Sequence, residues 1–118
     1  MPTERIQTLH VLLFEMRRIS VINQIKEAHR QLFPDVELIL FGSEARGEAT
    51  EQSDIDLLAL VDKEHLSLSD RERISHPLYE IELKTNTIIT PIVRTKRQWQ
   101  QQPMSFFKQN ILAEGITL

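Results

Sequence analysis

The sequence has no cysteine, so neither a disulfide nor a thiolate metal site is available to it. It has no basic excess either: 14 Lys and Arg against 17 Asp and Glu leave a formal net charge of −3. Proteins that grip a nucleic-acid polymer usually show a basic surplus or stripe, so such a polymer is not an expected partner. Long apolar runs are missing as well, and none approaches the roughly 20 residues that cross a bilayer. Met1-Pro2-Thr3-Glu4-Arg5 opens no signal-peptide core, and the expectation is a cytoplasmic protein without a membrane partner. No repeat, low-complexity tract or linker divides the 118 residues, which read as one domain, 1–118. That length holds a real core yet is small for an enzyme that must also recognise a second substrate, which points to a contribution from a partner.

What is present is concentrated between residues 36 and 61. The bulky run Val36-Glu37-Leu38-Ile39-Leu40-Phe41 is of strand length and stops at Gly42-Ser43. Gly42 removes the Cβ that would hold a ligand off the backbone, and the Ser43 hydroxyl with nearby amides can donate to a phosphate. A helical turn after it would add its N-terminal dipole. After five intervening residues beyond Gly47 comes Ser53-Asp54-Ile55-Asp56-Leu57, leading into a second apolar run that ends at Val61. A strand sends alternate side chains to one face, so Asp54 and Asp56 point the same way, roughly 6.5 Å apart along the backbone. Two hard carboxylates so placed suit Mg²⁺ or Mn²⁺, with the rest of the shell drawn from water and substrate phosphates. A phosphate-holding turn beside a metal-holding acid pair suggests nucleoside triphosphate chemistry. The blander reading, a strand and loop with a solvated end, leaves two Asp at a strand start unexplained, where Asp is disfavoured.

Elsewhere the pattern is mostly helical. Ile6, Leu9, Leu13, Met16, Ile19, Ile22 and Ile25 recur at steps of three or four, which predicts one long helix through Leu32 or two divided at an N-capping Ser20. The second alternative leaves a separate helix over Thr3 to Arg18, and residues 1–18 read as an N-terminal helical extension. Ser67 or Ser69 caps a helix from about Asp70, with Ile74, Leu78 and Ile81 buried. Pro77 costs about 3 kcal/mol inside it, so a kink or two pieces is expected there. Ile88 to Val93 reads as a third strand whose Pro91 favours an edge or a bulge. Thr95 caps a short helix through Trp99, and a last helix from about Met104 stops at Gly115. The predicted order is helix, helix, strand, strand, helix, strand, helix, helix.

The run Phe41-Gly42-Ser43-Glu44-Ala45-Arg46-Gly47-Glu48-Ala49-Thr50, then Ser53-Asp54-Ile55-Asp56-Leu57-Leu58, resembles the minimal nucleotidyltransferases of the DNA polymerase beta-like superfamily. Their pattern is a Gly-Ser turn, an Arg/Lys-Gly and an Asp-x-Asp on the next strand, and the likeness extends from about Ile19 to the C-terminus. It implies an α/β (α+β) fold with a small mixed, mainly antiparallel sheet of three or four strands flanked by helices. It implies Asp54 and Asp56 as catalytic and metal-binding, and Gly42, Ser43, Arg46, Gly47 and Ser53 as nucleotide-binding. The implied reaction moves a nucleoside monophosphate, AMP from ATP above all, to a hydroxyl of a protein or small molecule. The implied partner is a helical HEPN-type protein, or a second copy of the chain, and the apolar stripe of the first helix offers an interface.

One departure from the family stands out. A third carboxylate is expected on a neighbouring strand, yet Ile88 to Val93 has none; Thr87 and Thr90 offer hydroxyls, and Glu80 and Glu82 lie earlier, on the predicted helix. A catalytically weak or inactive nucleotide-binding or protein-interaction module on the same fold, an antitoxin-like partner of a HEPN protein, is therefore the second reading. The remaining signals have plainer accounts. Arg71 to His76 matches an Arg-x4-His spacing of HEPN ribonucleases but lacks their long bundle. His10, His29 and His65 have no metal-ligand spacing, and Lys96 and Arg97 read as a charged turn. Trp99, Phe106 and Phe107 are expected to be core or helix-packing residues.

Overall fold

The computed structural model of the protein describes residues 2–118, with side chains from Ile6 onward. The long apolar periodicity forms a single helix, α1 (Pro2–Leu32), which runs through Ser20 without a break. The Ser20 hydroxyl accepts from Gln24 Nε2 at 3.3 Å instead of capping a new helix, so the alternative with a separate helix to Arg18 is not the one adopted. Val21 and Ile25 are buried one and two turns beyond Arg18 on the same face, and that packing carries the helix across the weak position.

Strand β1 (Glu37–Phe41) leads into the five-residue helix α2 (Gly42–Arg46), and β2 (Ile55–Val61) returns antiparallel to β1. Helix α3 (Leu68–Thr85) starts at a capping box in which the Ser67 hydroxyl accepts from the Asp70 amide and the Asp70 carboxylate accepts from the Ser67 amide. It continues unbroken past Pro77, so the division into two pieces does not occur; Ile74, Leu78 and Ile81 remain on one buried face. Because α3 crosses back over the sheet, β3 (Ile89–Thr95) runs parallel to β2. Pro91 lies on that strand, which is at the sheet edge, where a missing amide is tolerated. Helix α4 (Lys96–Gln101) is capped by Thr95, and α5 (Phe106–Glu114) by Ser105.

A fourth strand, β4 (Ile116–Thr117), pairs antiparallel with β1 and completes the order β3-β2-β1-β4. Two residues carry no readable alternation, which is why the sequence does not announce it. The mixed, mainly antiparallel sheet flanked by helices is the expected architecture. One face packs Leu38, Leu40, Ile55, Leu57, Ala59 and Val61 beneath α1 and α3. The other carries Leu58 and Leu60 against Trp99 of α4 and Ile111 of α5. Trp99 is buried as expected, but Phe106 is 86 % exposed and is not a core residue. Phe107 sits at the margin, edge-on to Phe41 at 5.6 Å between ring centroids.

Candidate active site

Strand pairing brings the two halves of the motif together. Phe41, the last residue of β1, lies opposite Asp56 of β2, so the chain turns into α2 directly beside that carboxylate. Gly42 has φ +76, and a Cβ built on it would lie 2.5 Å from Asp56 Oδ2. Both the backbone conformation and the space therefore require glycine at this one position. Gly47 closes the turn at φ 73, its amide donating to the Glu44 and Ser43 carbonyls, and the Glu48 amide donates to Ser43 O at 2.9 Å. Among the described residues the half-buried Ser43 hydroxyl has no hydrogen-bond partner, which leaves it available to a ligand.

Asp54 immediately precedes β2 and Asp56 is its second residue; both are half-buried, and Asp56 shares the alternation of Leu58 and Leu60, the face toward α4 and α5. Thr90 of β3 is the parallel partner of Asp56, and its hydroxyl donates to Asp54 Oδ2 at 3.4 Å. Burial pushes the Asp56 carboxyl above its ordinary pKa, the nearby Asp54 charge adds to this, and the Arg46 charge opposes it. Two neighbouring carboxylates, with the exposed Thr90 hydroxyl alongside, form a donor set a hard divalent cation fits.

A third acid among the described residues does not join them. Among the described residues no three of His, Asp and Glu are grouped so as to hold a metal ion. Thr90 stands on the neighbouring strand opposite Asp56, and it is a hydroxyl, not an acid. Thr87 is buried with its hydroxyl donating to Thr85 O at 3.4 Å; Glu82 accepts from the Ile89 amide at 2.8 Å; Glu80 pairs with His76 on the surface.

The remaining predicted residues divide. Arg46 is exposed and ion-paired, Nε to Glu48 at 3.0 Å and one terminal nitrogen to Glu114 at 3.4 Å, and these partners raise its pKa. Its charge is nonetheless felt at Asp56. The Ser53 hydroxyl accepts from the Thr50 amide at 2.8 Å, so the structure places it in closing the loop before the acid pair. Sequence reasoning missed Arg18. This residue is 3 % exposed; its guanidinium donates to Glu44 of α2 at 3.0 Å and to the Ser53 carbonyl at 3.0 Å. It thereby ties α1 to both the turn and the residue before Asp54. The available signal was position: Arg18, Val21 and Ile25 fall on one helical face.

A family model described as a nucleotidyltransferase domain matches residues 22–116, and the chain belongs to that family and is an enzyme of that class. Its place among the minimal nucleotidyltransferases accords with its relatives. It is 36 % identical over 83 residues to "Putative protein adenylyltransferase MJ0141" of Methanocaldococcus jannaschii, covering 69 % of this chain and 83 % of that one. Among solved structures it is similar to a toxin-antitoxin crystallised with AMP-PNP, with a TM-score of 0.56 and 19 % identity over 80 % of this chain and 69 % of that chain. A tri-AMPylated Shewanella oneidensis HEPN toxin in complex with MNT antitoxin matches with a TM-score of 0.50 and 17 % identity, over 86 % of this chain and 70 % of that one. At these identities the structural likenesses establish the fold.

Proposed function

We propose that the protein transfers AMP from ATP to a hydroxyl of a partner protein, the partner being a helical HEPN-type chain. The observation that carries this reading is the contact of Gly42 with Asp56, which sets a ligand-accessible turn against the acid pair with no side chain between. The curated relative is named as a protein adenylyltransferase, which favours a protein acceptor. In this reading Asp54 and Asp56 hold the divalent ion, Mg²⁺, which when bound neutralises triphosphate charge and polarises the attacking oxygen. Gly42 and Ser43 hold the β and γ phosphates, and Arg46 exchanges Glu48 or Glu114 for a phosphate oxygen. The acceptor hydroxyl gives its proton to water as its oxygen forms the new bond to the α phosphorus, the bond to the β phosphate breaks, and pyrophosphate leaves with its electron pair.

Thr90 favours a second reading, a slow or non-catalytic nucleotide-binding partner of the same kind of protein. With no third carboxylate at the pair among the described residues to support proton removal, the rate falls by a factor on the order of 10² to 10⁴. One experiment separates the two. The protein is incubated with a HEPN-type acceptor and ATP labelled on the α or on the γ phosphate. Adenylyl transfer leaves α label on the acceptor and no γ label, and Asp56→Asn abolishes it. Equal labelling by wild type and Asp56→Asn would remove the assignment, and binding without labelling would select the second reading.

A further inference from the structure

Between Ile6 and Ile19, α1 carries seven large apolar side chains that its own domain leaves open; apart from Val11, which lies on the other side of the helix, they are Ile6, Leu9, Leu12, Leu13, Met16 and Ile19, each 50 to 65 % exposed. At about 100° per residue these six form one stripe, centred roughly 165° around the helix from the buried face of Arg18, Val21 and Ile25. The stripe therefore faces away from the body of the protein, and residues 6–13 are exposed on every side. It also reads the same from both ends. About a centre between Leu12 and Leu13, Ile6 mirrors Ile19, Leu9 mirrors Met16, and Leu12 mirrors Leu13.

That symmetry is what an isologous interface requires, in which one patch meets itself across a two-fold axis. We propose that α1 pairs antiparallel with α1 of a second copy of this chain, the axis passing between Leu12 and Leu13. Ile6 then meets Ile19 of the other copy and Leu9 meets Met16, while the two helix dipoles oppose each other and the two bodies lie at opposite ends of the seam. A parallel pair would instead carry the seam on into Ser20, Asn23 and Glu27, stacking two carboxylates. Half-exposed side chains of this size offer on the order of 100 Å² each, so the seam buries about 1,200 Å² across both copies, the lower edge of a stable interface.

The test is sedimentation velocity of the full chain over a concentration series. The mass is expected to rise from 13.8 kDa toward twice that value, and Leu13→Glu is expected to hold it at the monomer. Circular dichroism checks that the variant folds, with Met16→Gln as a second, milder lesion. Orientation is read by disulfide cross-linking, since the chain has no cysteine of its own. Leu9→Cys mixed with Met16→Cys is expected to cross-link, and Leu9→Cys alone is not. A monomer at every soluble concentration, including one that captures a different helical protein on this stripe, overturns the proposal. So does a dimer indifferent to Leu13→Glu, or Leu9→Cys cross-linking to itself.

Discussion

Gly42 answers to two constraints at once, and either alone would exclude other residues. Its φ of +76 is left-handed, and a Cβ there would meet Asp56 Oδ2 at 2.5 Å. Gly42→Ala is therefore expected to push Asp56 out of place and to weaken ATP binding at least tenfold, about 1.4 kcal/mol, by calorimetry. Both residues were legible in the sequence as a motif; their contact was not, because it depends on the register that sets Phe41 against Asp56. Thr90 was legible only as the lack of an acid. The parallel pairing with Asp56 turns that lack into a position, and Thr90→Asp would place a carboxylate beside the pair. If proton removal limits the reaction, this substitution raises the transfer rate on the order of 10²-fold, measured with α-labelled ATP. Arg18 was hidden by its type: an arginine in a helix ordinarily reads as solvated, and burial against Glu44 follows from tertiary packing. Arg18→Met leaves the partly buried Glu44 carboxylate without its cation and is expected to cost about 1–3 kcal/mol in urea unfolding. Adding Glu44→Leu should recover most of that loss, which a mere packing defect would not do.

The elements followed the sequence wherever a local rule had no competitor. The caps at Ser67 and Thr95 each hold a side-chain acceptor and a residue three positions on that answers it, and α3 and α4 begin there. Where a local rule met packing, packing won: Ser20 does not divide α1 because Val21 and Ile25 bind the helix to the sheet, and Pro77 does not divide α3 because Ile74, Leu78 and Ile81 do the same. The two-residue β4 exists only as a partner of β1 and had nothing local to show. The α3 cap also has a pH signature. Lys63 and the Ser67 amide hold the Asp70 carboxyl at about 2, below its ordinary 3.8. A depressed folded-state value means stability that is present above pH 3.8 and is lost as pH falls toward 2. Asp70→Asn should therefore flatten the acid limb of the stability profile in that window, followed by thermal unfolding at each pH.

The whole molecule measures 59 × 30 × 18 Å, elongated because the first half of α1 extends beyond the two-faced sheet domain. The family model begins at residue 22, so the stripe from Ile6 to Ile19 lies outside it, and so does Arg18, which reaches back to the candidate site. Helix α1 thus has two unlike faces: one locks the turn and the acid pair in register, the other stays open to a partner. In the function proposed, Gly42, Ser43, Asp54 and Asp56 form one metal-dependent nucleotide site. The most direct measurement is a calorimetric titration of ATP into the protein with Mg²⁺ and again with chelator, repeated on the Asp54→Ala, Asp56→Ala double variant. Binding is expected to require Mg²⁺ and to be lost in the variant. Binding of equal strength with chelator, or in the variant, would contradict the proposed site.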